Sequence, residues 1–353
     1  MKIITVLGAR PQFVKAAVVS REIKGHQNID EVILHTGQHF DSKMSDVFFE
    51  DLQIPHPNYN LAINNMGHGA MTGRMLEKIE EILLKEVPDW VLVYGDTNST
   101  IAGALAASKL HIKLAHVESG LRSFNMKMPE EINRILTDRI SDKLFCPTQT
   151  AVENLTKEGF ENDKIRFVGD VMLDAVHFYR EFAKKPLVDL PHKFALCTLH
   201  RAENTDDANK LNNIIKSLNE ISNKLPIILP LHPRTRNKLS DIIIDKNIIV
   251  IDPVGYFEML YLLEHAELVF TDSGGLQKEA FWFKRFCITL REETEWVELV
   301  QQGCNICVGA EPKKILEAFN HFIENKHSIN YDKSLYGDGN AGKLIIQELI
   351  NSQ

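Results

Sequence analysis

Short apolar runs alternate with longer amphipathic segments along the whole chain, the pattern of repeated βα units around a parallel sheet. Ile3 to Leu7 reads as the first strand, followed by a helix with Val14, Ala17, Val18 and Arg21 at helical spacing. Val32 to His35, Trp90 to Tyr94, Ile112 to Val117, Lys143 to Cys146 and Ile165 to Val168 read as further strands. Met66 to Val87 has a helical period, and the small residues of Ile101 to Ala107 allow close helix packing. A second series opens with Phe194 to Leu199 and continues through Ile227 to Leu231, Leu268 to Phe270 and a strand ending at Thr289-Leu290-Arg291. Glu311 to Asn325 and Lys343 to Asn351 close the pattern as helices.

At 353 residues the chain exceeds the size at which one core usually keeps growing, so two domains are expected. Phe178 to Leu190 mixes charges and a proline in the manner of a connection between domains. The boundaries predicted are 1–175 for an N-terminal domain and 176–339 for a C-terminal one, with a final helix in 340–353 packing back on the first. Hydrophobic residues make up 44% and charged residues 25% of the chain, as in ordinary globular proteins. A net charge of -8 excludes a general nucleic-acid binder, which needs a basic surface. No apolar run is long enough to span a bilayer, and Met1 to Leu7 does not form a signal peptide. Five cysteines, mostly in strand-like runs, fit a reducing, cytoplasmic compartment. Cys304-Asn305-Ile306-Cys307 lacks a second pair, so no metal site is predicted.

The candidate chemistry lies just beyond strand ends, where parallel sheets receive ligands. Glu118 follows Ile112 to Val117, and a loop then leads to Pro129, which can serve as the first residue of a helix beginning with Glu130 and Glu131. That acid pair suits a helix start whether or not it meets a ligand. Asp96 either caps the next helix or faces a ligand. Arg10 and Lys15 flank a helix start suited to a phosphate or a sugar hydroxyl, although Gly8 alone does not form a dinucleotide fingerprint. Gln38-His39 sits past another strand. In the second half His200-Arg201 and His232-Pro233-Arg234 put cations at strand ends. Asp272-Ser273-Gly274-Gly275 runs from a strand into a helix, leaving bare N–H groups and a positive helix end that fit a diphosphate. Glu279 follows within that helix, as a ribose partner or a solvated acid.

In order along the chain stand G-A-R-P-Q-F-V-K, T-G-Q-H, G-D-T-N-S-T, H-V-E-S-G-L-R, P-E-E-I-N-R, H-R-A-E-N, H-P-R, T-D-S-G-G-L-Q-K-E-A and Y-G-D-G-N-A. With these motifs the sequence resembles the non-hydrolysing UDP-N-acetylglucosamine 2-epimerase family over nearly its full length. The resemblance implies an α/β protein of two Rossmann-like domains facing across a cleft, the glycosyltransferase-B type, with UDP held mainly by the second. It also implies a cofactor-free isomerase and a homodimer serving bacterial surface polysaccharide synthesis. UDP is eliminated across carbons 1 and 2 to a 2-acetamidoglucal and added back after protonation on the opposite face. Asp96, Glu118, Glu130 and His200 fall on the family's catalytic positions. Arg10, Lys15, His232, Ser273, Gly274, Gly275 and Glu279 fall on its substrate positions. Gln38, Arg74 and Arg201 are the candidates for an allosteric site, where Asp41 replaces a family glutamine. Ala9, Gln12, Ala202 and Trp296, the last in place of a family arginine, resemble the branch acting on UDP-2,3-diacetamido-2,3-dideoxyglucuronate. A glycosyltransferase of the same fold is the more distant alternative.

Overall fold

Buried apolar residues, many of them β-branched, fill the longer strands of the first unit, and the sheet they form is entirely parallel. The computed structural model describes residues 1–38, 53–240, 242–331 and 334–352, with the side chain of Arg10 excepted. The chain divides into two units, Met1–Phe178 with Ser334–Gln353, and Tyr179–Lys333.

In the first unit β1 (Lys2–Leu7) leads into α1 (Arg10–Lys24), β2 (Asp30–His35) and β3 (Tyr59–Asn60). Then follow α2 (His68–Glu86), β4 (Trp90–Tyr94), α3 (Asn98–Lys109), β5 (Lys113–Val117), α4 (Pro129–Ile140), β6 (Lys143–Cys146), α5 (Gln149–Lys157), β7 (Ile165–Phe167) and α6 (Val171–Tyr179). The strand order is β3-β2-β1-β4-β5-β6-β7. One face of this sheet is sealed by α2 and α3. Met71, Met75, Ile79, Ile82 and Leu83 recur at helical spacing on α2 and are buried, packing with Ile4, Val6, Val91 and Val93 of the sheet and with Ala102, Ala104 and Ala106 of α3.

The second unit repeats the plan with β8 (Ala195–Thr198), α7 (Ala202–Thr205), α8 (Ala208–Ser222), β9 (Ile227–Pro230), α9 (Pro233–Lys238), β10 (Ile248–Ile251) and α10 (Tyr256–His265). It continues with β11 (Leu268–Thr271), α11 (Gly274–Trp282), β12 (Phe286–Thr289), α12 (Val297–Gln301), β13 (Asn305–Cys307) and α13 (Pro312–Asn325). The order is β10-β9-β8-β11-β12-β13, again all parallel. Its core joins Leu211, Ile214, Ile215 and Leu218 of α8 to Ile227, Leu229, Phe270, Phe286 and Ile288 of the sheet. Both sheets reverse direction of strand addition once, between β1 and β4 and between β8 and β11, and such switch points open a crevice at the carboxyl ends of the strands.

The chain returns to the first unit through α14 (Ala341–Asn351). Gly342 is required there, because a Cβ at that position would stand 2.8 Å from Val18 Cγ1 of α1. Ion pairs fasten the outer face, with Glu348 bonded to Lys143 at 2.7 Å and Arg166 at 3.0 Å. Asp174 of α6 accepts from the Gly342 N–H at 2.9 Å at the start of α14. Burial pushes the Asp174 carboxyl up to about 6, although the Gly342 and Ala341 N–H groups pull it down. Its folded value thus lies above its unfolded one, so the native state binds the extra proton and stability falls as pH rises from about 4 to about 6. Asp174→Asn should remove that slope from the thermal or urea stability profile and stabilise the protein at pH 7 by up to about 3 kcal/mol, at ~1.4 kcal/mol per pKa unit. An unchanged slope in the variant would exclude Asp174 as its source.

Candidate functional site

Of the residues singled out in the sequence, Lys15 and Asp96 flank the β1/β4 switch and His200 and Ser273 the β8/β11 switch, with Glu118 one strand further on after β5. In the first unit the turn after β1 is tight: a Cβ on Gly8 would lie 1.9 Å from Ser99 Oγ and 2.2 Å from Thr36 Oγ1. Gln12, buried on α1, holds this turn against the one after β4. Its Oε1 accepts from the Gly8 and Ala9 N–H groups at 2.8 and 2.9 Å, and its Nε2 donates to the Tyr94 carbonyl at 2.7 Å. A carboxylate at position 12 could not make that last bond, which gives the glutamine a physical reason.

Thr97, not Asp96, caps α3, since its side chain accepts from the Thr100 N–H. Asp96 is released from capping and instead binds Arg134 of α4, with Oδ2 at 2.5 Å from Nη2 and 3.2 Å from Nε. Arg134 Nη1 reaches Glu131 at 2.8 Å. Glu131 is fully buried and accepts from the Ser123 N–H and Oγ and the Phe124 N–H, each at 2.9 Å, so it folds the loop after Glu118 onto the start of α4. Its neighbour Glu130 is exposed at the first turn of α4, where the helix dipole favours an acid.

Glu118 takes φ +70, a conformation that costs a non-glycine residue energy and is stored where function demands it. The turn it makes aims the side chain at α1, where Glu118 Oε2 is bonded to Lys15 Nζ, both side chains nearly buried. The pair lies against Gly95, whose missing Cβ would be 3.3 Å from Glu118 Oε2 and 3.5 Å from Lys15 Nζ. Arg10 is the first residue of α1. Gln38 Oε1 accepts from the Ser99 N–H and Oγ at the start of α3, and Arg74 is exposed on α2. His39 and Asp41 lie outside the described residues.

In the second unit the strand-end acid Asp272, which the sequence reading passed over inside its Ser-Gly-Gly motif, is the organising group. It is fully buried and joins the turns after β8 and β11: its carboxylate accepts from the His200 N–H at 3.1 Å and the Arg201 N–H at 2.9 Å. His200 Nδ1 lies 3.0 Å from Asp272 Oδ1, while the imidazole is exposed. Burial raises the Asp272 carboxyl, but the hydrogen bond and charge of His200 and the two N–H groups outweigh it and hold the acid below its usual range. The histidine therefore does more than meet backbone. With Nδ1 directed at a carboxylate, Nε2 is the atom it presents outward.

Ser273 is the N-cap of α11 with no side-chain cap bond, so the N–H groups of Gly274 and Gly275 open the helix. Glu279, in the same helix, is buried rather than a solvated acid. His232 caps α9 through Nδ1, which accepts from the Arg234 N–H at 3.3 Å. Trp296 is also buried, with Lys278 Nζ 3.8 Å from its ring centre. Cys304 and Cys307 bracket an edge strand whose residues point to alternate faces, and burial pushes both thiols up to about 11. Asp272 and Arg134 are the site groups that sequence reasoning missed, and Glu131 was read only as half of an acid pair at a helix start. A buried acid immediately before Ser-Gly-Gly, and an arginine three residues after Glu131 on one helix face, were the available signals.

Acids and a lysine near the switch point of one parallel unit, with a histidine and a helix begun by two glycines at that of the other, are carried on an α/β protein with two Rossmann-like units of the glycosyltransferase-B type. The family model for UDP-N-acetylglucosamine 2-epimerase matches residues 21–350, and the chain belongs to that family. It is 56% identical over 353 residues to a UDP-2,3-diacetamido-2,3-dideoxy-D-glucuronate 2-epimerase of Pseudomonas aeruginosa, with 99% of each chain covered. Among solved structures it is similar to UDP-GlcNAc 2-epimerase of Methanocaldococcus jannaschii in complex with UDP-GlcNAc and UDP (TM-score 0.89, 44% identity, 99% of this chain and 100% of that one). It is also similar to UDP-GlcNAc 2-epimerase of Neisseria meningitidis bound to UDP-GlcNAc (TM-score 0.91, 32% identity, 99% and 100%).

Asp272→Asn should leave the protein folded but loosen His200, lowering turnover about 100-fold, the lower range for an acid–base group. Turnover within about twofold of wild type would remove His200 orientation from the reaction.

Proposed function

We propose that the chain is a non-hydrolysing 2-epimerase of a UDP-2-acetamido sugar. The observation that carries this is the Lys15–Glu118 pair on a strained turn beside Gly95, one residue from Asp96, in a member of a 2-epimerase family. A carboxylate removes the proton at carbon 2 while the bond from carbon 1 to UDP breaks, and a carbon 1–carbon 2 double bond forms. A second acid group then delivers a different, solvent-exchanged proton to the opposite face of carbon 2, and UDP re-forms its bond to carbon 1. Asp96, Glu118 and Glu130 supply acid–base and charge-stabilising groups, and His200 presents Nε2. Gly274, Gly275 and the positive end of α11 receive the diphosphate, with Ser273, His232, Arg10, Lys15 and Glu279 as further substrate contacts. No electrons are gained or lost, so the scheme calls on no redox cofactor.

UDP-N-acetylglucosamine is the first substrate to consider. A specific observation favours the 2,3-diacetamido uronate: Trp296 is buried under Lys278 where the resemblance places a substrate-contacting arginine, and the relative with 56% identity acts on that sugar by its name. We further read the protein as a cytoplasmic homodimer serving surface polysaccharide synthesis. Among the described residues no helix is long and apolar enough to cross a membrane.

Incubation with each UDP-sugar in deuterium oxide, followed by NMR, should show deuterium at carbon 2 with inversion and no free sugar. Free N-acetylmannosamine would mark a hydrolase, and transfer to an acceptor without exchange a glycosyltransferase. Glu118→Gln should retain UDP binding by calorimetry while turnover falls ~100- to 10,000-fold. Unchanged turnover would take Glu118 out of the mechanism.

A further inference from the structure

His116, the fourth residue of β5, is wholly buried, and both of its ring nitrogens face oxygen. Nε2 lies 2.7 Å from the carbonyl of Gly95 and Nδ1 lies 2.7 Å from Asp138 Oδ1 of α4. A carbonyl oxygen only accepts, so Nε2 carries hydrogen. Asp138 is also an acceptor here. Its Oδ2 already takes bonds from Arg122 Nη1 at 2.7 Å and the Gly120 N–H at 3.1 Å. Nδ1 must therefore carry hydrogen as well.

Arg122 completes the cluster through a two-bond contact with Glu158, at 2.7 and 2.8 Å. The Gly95 N–H in turn donates to the Val117 carbonyl at 3.0 Å. Gly95 is thus stitched to β5 through both of its backbone groups, immediately before Asp96 and beside the residue that precedes Glu118.

We propose that His116 is a positioning residue that acts as a buried imidazolium, its two N–H groups clamping the Gly95 carbonyl to Asp138 and so fixing Asp96 against Glu118. Its effect on turnover rests on the epimerase reading; its protonation does not.

In full-length protein labelled with 15N-histidine at pH 7.5, both ring nitrogens of His116, assigned by their loss in His116→Gln, should show one-bond N–H couplings. A ring with one bare nitrogen overturns the proposal. His116→Gln and Asp138→Asn should lower kcat about 10- to 100-fold, the size expected of a small misplacement of catalytic groups, with KM and UDP affinity within about threefold of wild type. Wild-type kcat in both folded variants, or a loss expressed in KM alone, also overturns it. Should His116→Gln fail to fold, Asp138→Asn and the wild-type couplings, assigned by Asp138→Asn perturbation, decide the matter. An inactive wild type with an intact imidazolium would count against the epimerase reading and leave the protonation result standing.

Discussion

A parallel sheet covered on both faces has no free surface except at its strand ends, and this constraint governs the arrangement of both units. With α2 and α3 sealing one side of the first sheet, its polar chemistry is confined to the carboxyl edge, above all near the β1/β4 switch. Backbone groups at that edge lose their ladder partners and must find others. Gln12, His116 and Asp272 meet this need, each bonding the turns after neighbouring strands. The catalytic candidates are thus mounted on turns whose separation is set by neutral or balanced buried contacts rather than by loop length.

Electrostatics then divide the labour. The first unit collects alternating charges in buried or half-buried chains, Lys15 with Glu118 and Asp96 with Arg134 and Glu131. Such chains hold side chains in one orientation more than they add stability. The second unit commits its buried acid Asp272 to a histidine and two N–H groups, and begins α11 with two glycines, the first of them beside the Glu295 carboxylate. On the proposed reading, one unit moves protons and the other holds an anion.

Much of this was legible before any coordinates. Trp90–Tyr94 and Lys143–Cys146 were read to the residue because an unbroken apolar run flanked by polar turns has few other uses. Asp96, Glu118 and His200 stood out because each follows such a run. The sequence could not say that Thr97 would take the cap and free Asp96, since both residue types cap helices. Asp272, Glu131 and Asp138 stayed hidden for another reason: their significance lies in N–H and guanidinium partners brought together by the fold, and spacing does not record those. The strand Asn305–Cys307 went unread because three residues are too short for an apolar run to register.

The return of the final helix to the first unit makes the second an insertion within it. During synthesis the second unit is complete once residue 333 has emerged, whereas the first still lacks the helix that packs on α1. Domains generally fold as units as the chain appears, so the inserted one finishes ahead of its host. Without that helix, the face of α1 around Val18, which lies against Gly342, would stand uncovered while the inserted unit had already folded.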